Sequence, residues 1–309
     1  MNIKEKKRGA IARNIIYNKY IYIMLVPAII FYLIFSYYPM YGVTLAFKEF
    51  NFKLGIMDSP WVGFENFKDL IYDKEMRSVF LNTAIISFGR IIFQFPIPII
   101  LAILLNEMRM RRYKGVLQTV FTFPHFLSWV ICAGIIKNFL RTDGFVNVII
   151  QALGFEPIPF LMKAELFKPI IFMTDIWKEA GWSTIIYLAA ITAINGELFE
   201  AATVDGANRF QKIIYVTLPA ISGTICFLLI LSIANIMNAG FDQIFNMMNS
   251  VVKSSGQIID TYIYEITFQR APDYSFSTAV GLFKSIINFS LIFVADRIIR
   301  KIGGKGIYE

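Results

Sequence analysis

Six stretches of this chain are apolar over lengths that can cross a lipid bilayer, and nothing else in the sequence constrains the fold as strongly. A helix needs roughly 20 apolar residues to span about 30 Å of hydrocarbon. The stretches run over 21–47, 79–105, 115–140, 169–194, 219–240 and 277–300. Inside hydrocarbon every backbone N–H and C=O must be satisfied within the protein, so spans of this kind are helices. The expected fold class is all-α, a polytopic membrane protein with six transmembrane helices. Composition agrees: 56% of the 309 residues are hydrophobic and only 17% are charged, values outside the usual range of soluble domains.

Charge sets the orientation. With the N-terminus inside, segments 1–20, 106–114, 195–218 and 297–309 hold 16 Lys and Arg against 6 acids, whereas 48–78, 141–168 and 241–276 hold 10 against 13. The bias is strongest in short loops such as "RMRRYK", where basic residues most reliably mark the cytoplasmic side. Both termini are therefore expected in the cytoplasm, and the net charge of +8 reflects topology rather than a nucleic-acid partner. The first apolar stretch is too long for a signal-peptide core and lacks a small-residue cleavage site, so it is expected to remain as an anchor. The chain then divides into a basic tail (1–20), a first transmembrane helix (21–47), an outer loop (48–78), a membrane core (79–300) and a C-terminal tail (301–309). Within the outer loop, "SPWVGFENFKDLIYDKEM" carries Trp61, Phe64, Phe67, Leu70 and Ile71 at helical spacing. It reads as a helix on the membrane surface, where aromatic rings sit well.

Polar side chains in lipid-length segments are expensive and should face a partner or a water-filled cavity. They recur here at helical spacing, with Thr83, Ser87, Arg90 and Gln94 in span two and Asp175, Lys178, Glu179 and Trp182 in span four. Span five carries Ser232, Asn235 and Asn238, continuing to Asp242, and span six carries Ser277, Gly281, Lys284 and Asn288. Four such stripes can converge on one hydrophilic path. Against this, Asp175 and Lys178 could neutralise one another within their helix, and Asn or Ser often simply join helices. Cys132 and Cys226 have no metal or redox spacing, so they read as packing residues. His125, the single histidine, has no acidic or thiol neighbour in the sequence; it is expected to support a kink at Pro124 rather than to bind metal or catalyse. Pro27, Pro39, Pro96 and Pro98 mark further bends. No catalytic or metal-ligating set is legible.

The connection after span four, "ELFEAATVDGANRFQKIIYVTLPAIS", is polar, and at 195–218 it is longer than the few residues usual between packed helices. Glu200, Ala201 and Ala202 favour helix, Asp205 and Gly206 break it, and a second helical turn is expected from about Ala207 toward Pro219. Such an elbow cannot cross the bilayer. It is expected to touch something on the cytoplasmic side.

The spacing Glu200-Ala201-Ala202, three residues, Gly206, nine residues, Val216, one residue, Leu218-Pro219 resembles the signature loop of permease subunits of binding-protein-dependent ABC importers. Val216 stands where that pattern usually has Ile. "FDQIFNMMNSVV", "IIDTYIYE", "STAVGLFKSIINFSLIFVADRI", "WVGFENF" and "LNT" are similar to the carbohydrate-uptake class, above all its branch for complex oligo- and polysaccharides. The resemblance covers nearly everything from about residue 20 onward. It implies a type I importer permease fold in a bacterial cytoplasmic membrane, acting by alternating access. It also implies a second, similar permease chain (a heterodimer, with a homodimer left open), two ATPase subunits, an extracytoplasmic solute-binding protein and a carbohydrate substrate. Glu200, Ala201, Ala202, Asp205, Gly206, Ala207, Asn208 and Arg209 would then form the coupling helix that docks on an ATPase. Gly206 would allow its turn, and Glu200 and Asp205 would offer charged contacts or caps.

No cofactor is expected on this chain. A phosphate-binding loop needs Gly-Lys followed by Ser or Thr, but here Gly304-Lys305 is followed by Gly306, so ATP and Mg would enter through the partner. For a sugar path the candidate lining residues are Arg90, Gln94, Asp175, Trp177, Lys178, Glu179, Trp182, Tyr187, Asn235, Asn238, Asp242, Lys284 and Asn288. Polar groups would meet hydroxyls, and Trp177, Trp182 and Tyr187 would stack on the C–H faces of sugar rings. Arg90, Lys178 and Lys284 leave an acidic saccharide open. Two other classes stay in view: an ion-driven transporter with Asp175, Lys178 and Glu179 as a relay, and an intramembrane enzyme using His125 or Asp175.

Overall fold

The structure is a computed structural model describing residues 17–108 and 110–301; most of the basic tail, and the C-terminal tail beyond Lys301, lie outside the described residues. Among these residues there is no strand, only an isolated bridge between Lys48 and Trp61. Four helical runs, Lys19–Phe47, Lys74–Glu107, Arg209–Ala234 and Tyr274–Ile298, are each long and apolar enough to span a membrane. Two bent pairs complete the set: Arg112–Phe126 with Trp129–Ala152, bent by 104°, and Ala164–Thr192 with Gly196–Val204, bent by 69°. Counting each pair as one span gives six.

Two spans differ from their expected form. Span three is not one helix over 115–140. It breaks after the 3₁₀ turn Phe123–Phe126 and restarts at Trp129, where the Ser128 hydroxyl accepts from Ile131 N. Pro124 supplies the break by removing a backbone donor. Span five begins at Arg209 and ends at Ala234, rather than covering 219–240. Its early start is fixed by a reciprocal cap in which the Asn208 side chain accepts from Gln211 N and the Gln211 side chain accepts from Asn208 N.

Wide helical turns mark several prolines. Leu33–Tyr37, Arg90–Gln94 and Ile213–Thr217 are π-helical, and each ends two residues before Pro39, Pro96 or Pro219. The missing N–H and the ring of proline disturb the preceding turn, and a π turn absorbs that disturbance without ending the span. Pro27, by contrast, sits inside the α-helix Lys19–Tyr32.

The described residues fall into two units. One comprises residues up to Asp69 together with Asp273–Leu282. Its first span buries almost nothing of its own surface, as suits a helix facing lipid or another chain. In the loop after the first span Lys48, only 2% exposed, donates to the carbonyls of Ile56 (2.8 Å) and Met57 (2.7 Å). Asn66 ties the same strand-like segment through Ala46 O and Lys48 O. The surface helix begins only at Glu65 and runs to Tyr72, so Trp61 and Phe64 precede it instead of lying on it. Phe50 N donates to Ser275 Oγ at 2.9 Å, and the Phe50 ring meets Tyr274 edge-on.

The other unit holds the remaining spans. Ile86, Cys132, Ile171, Ala239, Ile244 and Met247 form one core in which spans two, three and four meet the segment that follows span five. Ala102, Tyr187, Leu188, Ile191 and Ile221 form a second. On the loops between its spans, Arg270 places its fork on Glu75 at 2.7 and 3.0 Å and its Nε on Glu265 at 3.0 Å, while Lys253 reaches Glu265 at 2.6 Å. Burial pushes the Glu265 carboxyl up, but the hydrogen bonds and charges of Lys253 and Arg270 outweigh it and hold the group below its ordinary value of 4.5. Because the folded value is the lower one, the stabilisation is fully present above about pH 4.5 and is lost as pH falls through the folded value. The melting temperature of the purified protein should therefore drop on acidification through this range. Glu265→Gln should melt lower at neutral pH and show a flatter acid limb; parallel curves for the two proteins would exclude this role.

Candidate functional site

A cavity of about 390 Å³ opens between spans two, four and five, and its polar lining comes from Ser87, Arg90, Gln94, Ser183, Ser232 and Asn235, with Tyr187 and Asn238 beside them. Ile91, Phe95, Pro98, Ile186, Leu228 and Leu231 supply its apolar walls. Hydroxyl and amide groups set among apolar surfaces suit a ligand with polar edges and apolar faces. The helical period of each stripe puts these residues on one side of their spans.

Among the described residues, Arg90 is the only charged one in this lining. Its guanidinium lies 3.0 Å from Asp175, whose side chain is just 4% exposed behind the cavity wall. It also donates to the Gln243 side-chain oxygen. Gln243 is fully buried and donates onward to Ile171 O and Thr174 Oγ1, both at 2.8 Å. The short helix Phe241–Met247 is thereby locked to spans two and four. An uncompensated charge at this depth is costly, so the carboxylate and the amide are what allow an arginine here.

The other candidate residues divide. Lys178 and Glu179 are held in a second cluster: Lys178 Nζ donates to His125 O at 2.8 Å and to Glu179 at 2.9 Å, and Glu179 Oε2 lies 2.6 Å from His125 Nδ1. The His125 ring stacks on Trp182, with centroids 4.5 Å apart and planes within 4°. Thus Asp175 and Lys178 do not neutralise each other, and the lone histidine does have a carboxylate neighbour, which the fold brings from span four. Trp177 faces an apolar surface groove with Ile135, Phe139 and Met173, away from the polar cavity. Lys284 pairs with Asp260 at 2.5 Å, and Asn288 accepts from Met237 N at 3.1 Å. Asp242 is exposed in the first turn of Phe241–Met247.

Sequence reasoning passed over Gln243. Its only signal is an uncharged amide in an apolar stretch, which reads equally well as a surface residue until the fold buries it.

The elbow after span four is built from its own caps. Asn195 accepts from Glu197 N and starts the helix Gly196–Val204. Gly206, at φ +79°, ends it: Gly206 N donates to Thr203 O and Ala207 N to Ala202 O, the left-handed closure that favours glycine. Lys212 Nζ then reaches Thr203 Oγ1 at 2.7 Å, bracing the arriving helix against the departing one. The side-chain caps thus come from Asn195 and Asn208, not from Glu200 or Asp205, whose side chains are exposed together with Val204 and Phe210.

Residues 94–304 match the family model described as the binding-protein-dependent transport system inner membrane component. The chain belongs to this family. It is 44% identical to protein LplB of Bacillus subtilis (strain 168) over 94% of this chain and 92% of that one. It is 40% identical to the polygalacturonan/rhamnogalacturonan transport system permease protein YteP of the same organism over 99% and 95%. A solved bacterial ABC transporter involved in the import of the acidic polysaccharide alginate matches with a TM-score of 0.88 at 37% identity, covering 95% of this chain and 99% of that chain. A second structure of the alginate transporter, in complex with its alginate pentasaccharide-bound periplasmic protein, matches equally well, with a TM-score of 0.88. The family is one of membrane transport components, and the expected importer-permease fold stands.

Gln243→Leu should take an acceptor from Arg90 and a donor from Ile171 O and Thr174 Oγ1, of which Ile171 O still accepts from the Thr174 hydroxyl at 3.2 Å. Unsatisfied buried groups of this kind cost about 1–3 kcal/mol, so the variant should melt lower than wild type in detergent. An unchanged melting temperature would mean that the amide does not hold this junction.

Proposed function

We propose that this chain is a membrane-spanning subunit of an ATP-driven importer, carrying an oligosaccharide or polysaccharide fragment handed to it by an extracytoplasmic binding protein. The observation that carries this reading is the braced, solvent-facing elbow 195–218 with its Glu200-Ala201-Ala202…Gly206 spacing, in a chain that belongs to the binding-protein-dependent family. The names of its relatives point the same way, to polygalacturonan and rhamnogalacturonan for one and alginate for another.

In this reading ATP and Mg are bound by two separate ATPase subunits. A helix fixed at both ends by Asn caps, a glycine closure and the Lys212–Thr203 brace transmits displacement to spans four and five as one body. A partner that closes on ATP biases such a two-state element. Glu200, Ala201, Ala202, Asp205, Gly206, Ala207, Asn208 and Arg209 form the contact surface, with both termini in the cytoplasm. A second, similar permease chain completes the path, and Arg90, Gln94, Tyr187, Asn235 and Asn238 line its half in this subunit. The ion-driven alternative loses ground because the charged residues it needed as a relay are committed to separate partners: Asp175 to Arg90, and Lys178 and Glu179 to each other and His125.

Ala202→Cys or Asn208→Cys should cross-link to an ATPase chain in the intact importer. Gly206→Pro should reach the membrane in normal amount but abolish uptake and uncouple ATP hydrolysis. Failure of both cysteines to reach an ATPase, or full uptake by the proline variant, would contradict the assignment.

A further inference from the structure

We propose that four aromatic side chains next to the cavity, Phe241, Phe245, Tyr264 and Phe268, form a stacking track on which the rings of a saccharide chain lie outside the cavity itself. This deepens, and rests on, the saccharide-import reading.

The rings are contiguous. Phe241 and Phe245 stack with centroids 5.2 Å apart and planes within 16°, and Tyr264 meets Phe241 at 5.8 Å and Phe245 at 4.9 Å. Phe268 continues the row, 5.4 Å from Tyr264. The track begins where the cavity lining ends in the chain: Asn235, Ile236 and Asn238 line the cavity, and Phe241 opens the helix that follows the left-handed Gly240. Its far end is held in place, because Phe268 lies in the π-helical turn Glu265–Gln269, and Glu265 is paired with both Lys253 and Arg270.

The track is an open surface. Phe245 is 39% and Phe268 69% exposed, whereas Gln243, Ile244 and Met247 of the same short helix are buried. One position beyond each phenylalanine of that helix, Asp242 and Asn246 make a parallel polar stripe, in which Asp242 is exposed. Among the described residues neither the Asp242 carboxylate nor the Tyr264 hydroxyl has a hydrogen-bond or ion-pair partner. An unpaired carboxylate is costly against lipid, so the strip is not built as a plain lipid-facing surface. Aromatic rings flanked by free hydrogen-bonding groups match a sugar, whose C–H face stacks and whose hydroxyls need donors and acceptors.

Size points the same way. The cavity, at about 390 Å³, is at the small end of ligand pockets. A chain of several sugar rings does not fit inside it, and the remaining rings must lie on adjoining surface. The track supplies that surface, so its contribution grows with the length of the chain.

The test uses the whole importer, with its binding protein, in proteoliposomes. The probes are digalacturonate and hexagalacturonate, each at a concentration that saturates the binding protein. Phe245→Leu/Phe268→Leu removes the flat rings but keeps apolar bulk, and so preserves a contact with lipid or another subunit; Phe245→Tyr/Phe268→Tyr keeps the rings. The ratio of hexagalacturonate to digalacturonate uptake, per ATP hydrolysed, should fall at least about fivefold in the leucine variant. In the tyrosine variant it should stay within about twofold of wild type. An equal loss of both probes in the leucine variant, or no loss of either, would overturn the track while leaving saccharide import standing. A tyrosine variant as impaired as the leucine one would overturn it in favour of a packing surface for another chain. Uptake of neither probe by wild type would contradict the import reading and the track together.

Discussion

The Arg90–Asp175 pair joins spans two and four at a depth where neither charge can stand alone, and the geometry around the cavity follows from it. Moving an ion out of water costs several kcal/mol even after relaxation, so the partner must be close. Asp175 lies 3.0 Å from the arginine, and Gln243 adds a neutral acceptor from the segment after span five. That segment is in turn held to span four through Ile171 and Thr174. One buried polar junction therefore fixes three elements against each other and presents the arginine to the cavity. The cluster of His125, Lys178, Glu179 and Trp182 performs a similar task where span three breaks, joining the break to span four.

The elbow works by the opposite strategy. It is exposed, and its rigidity comes from backbone closure and short side-chain caps instead of burial. Asn195, the left-handed Gly206 and the Asn208–Gln211 cap satisfy the helix ends locally. Val204 and Phe210 are left to face outward. A rigid, partly apolar surface element at the end of a long membrane helix is the arrangement a docking partner needs if its motion is to be passed on without being absorbed.

Much of this is legible in the sequence, for identifiable reasons. Spans two, four and six are long and predominantly apolar, and the 3.6-residue period of their polar positions is enough to put Ser87, Arg90 and Gln94 on one face. The boundaries of span five are not legible in this way, because Arg209, Gln211 and Lys212 read as loop by polarity; the Asn208–Gln211 capping pair is the signal that a helix starts there. The fracture of span three is visible as Pro124, but no local signal gives its angle of 104°. Pairings are the least legible feature. Nothing local says that Asp175 turns to Arg90 while Lys178 turns to the carbonyl of His125, or that Trp177 looks away from the polar path toward an apolar groove.

The central claim is that motion received at the elbow changes which side of the membrane the cavity faces. It is tested most directly with Asn238→Cys as the sole thiol, in a Cys132→Ser/Cys226→Ser background, within the complete importer. Its labelling by a membrane-impermeant thiol reagent added outside is measured without nucleotide and with ATP trapped by a hydrolysis-deficient ATPase. The account predicts a marked difference between the two states, abolished by Gly206→Pro. Equal labelling in both nucleotide states would contradict it.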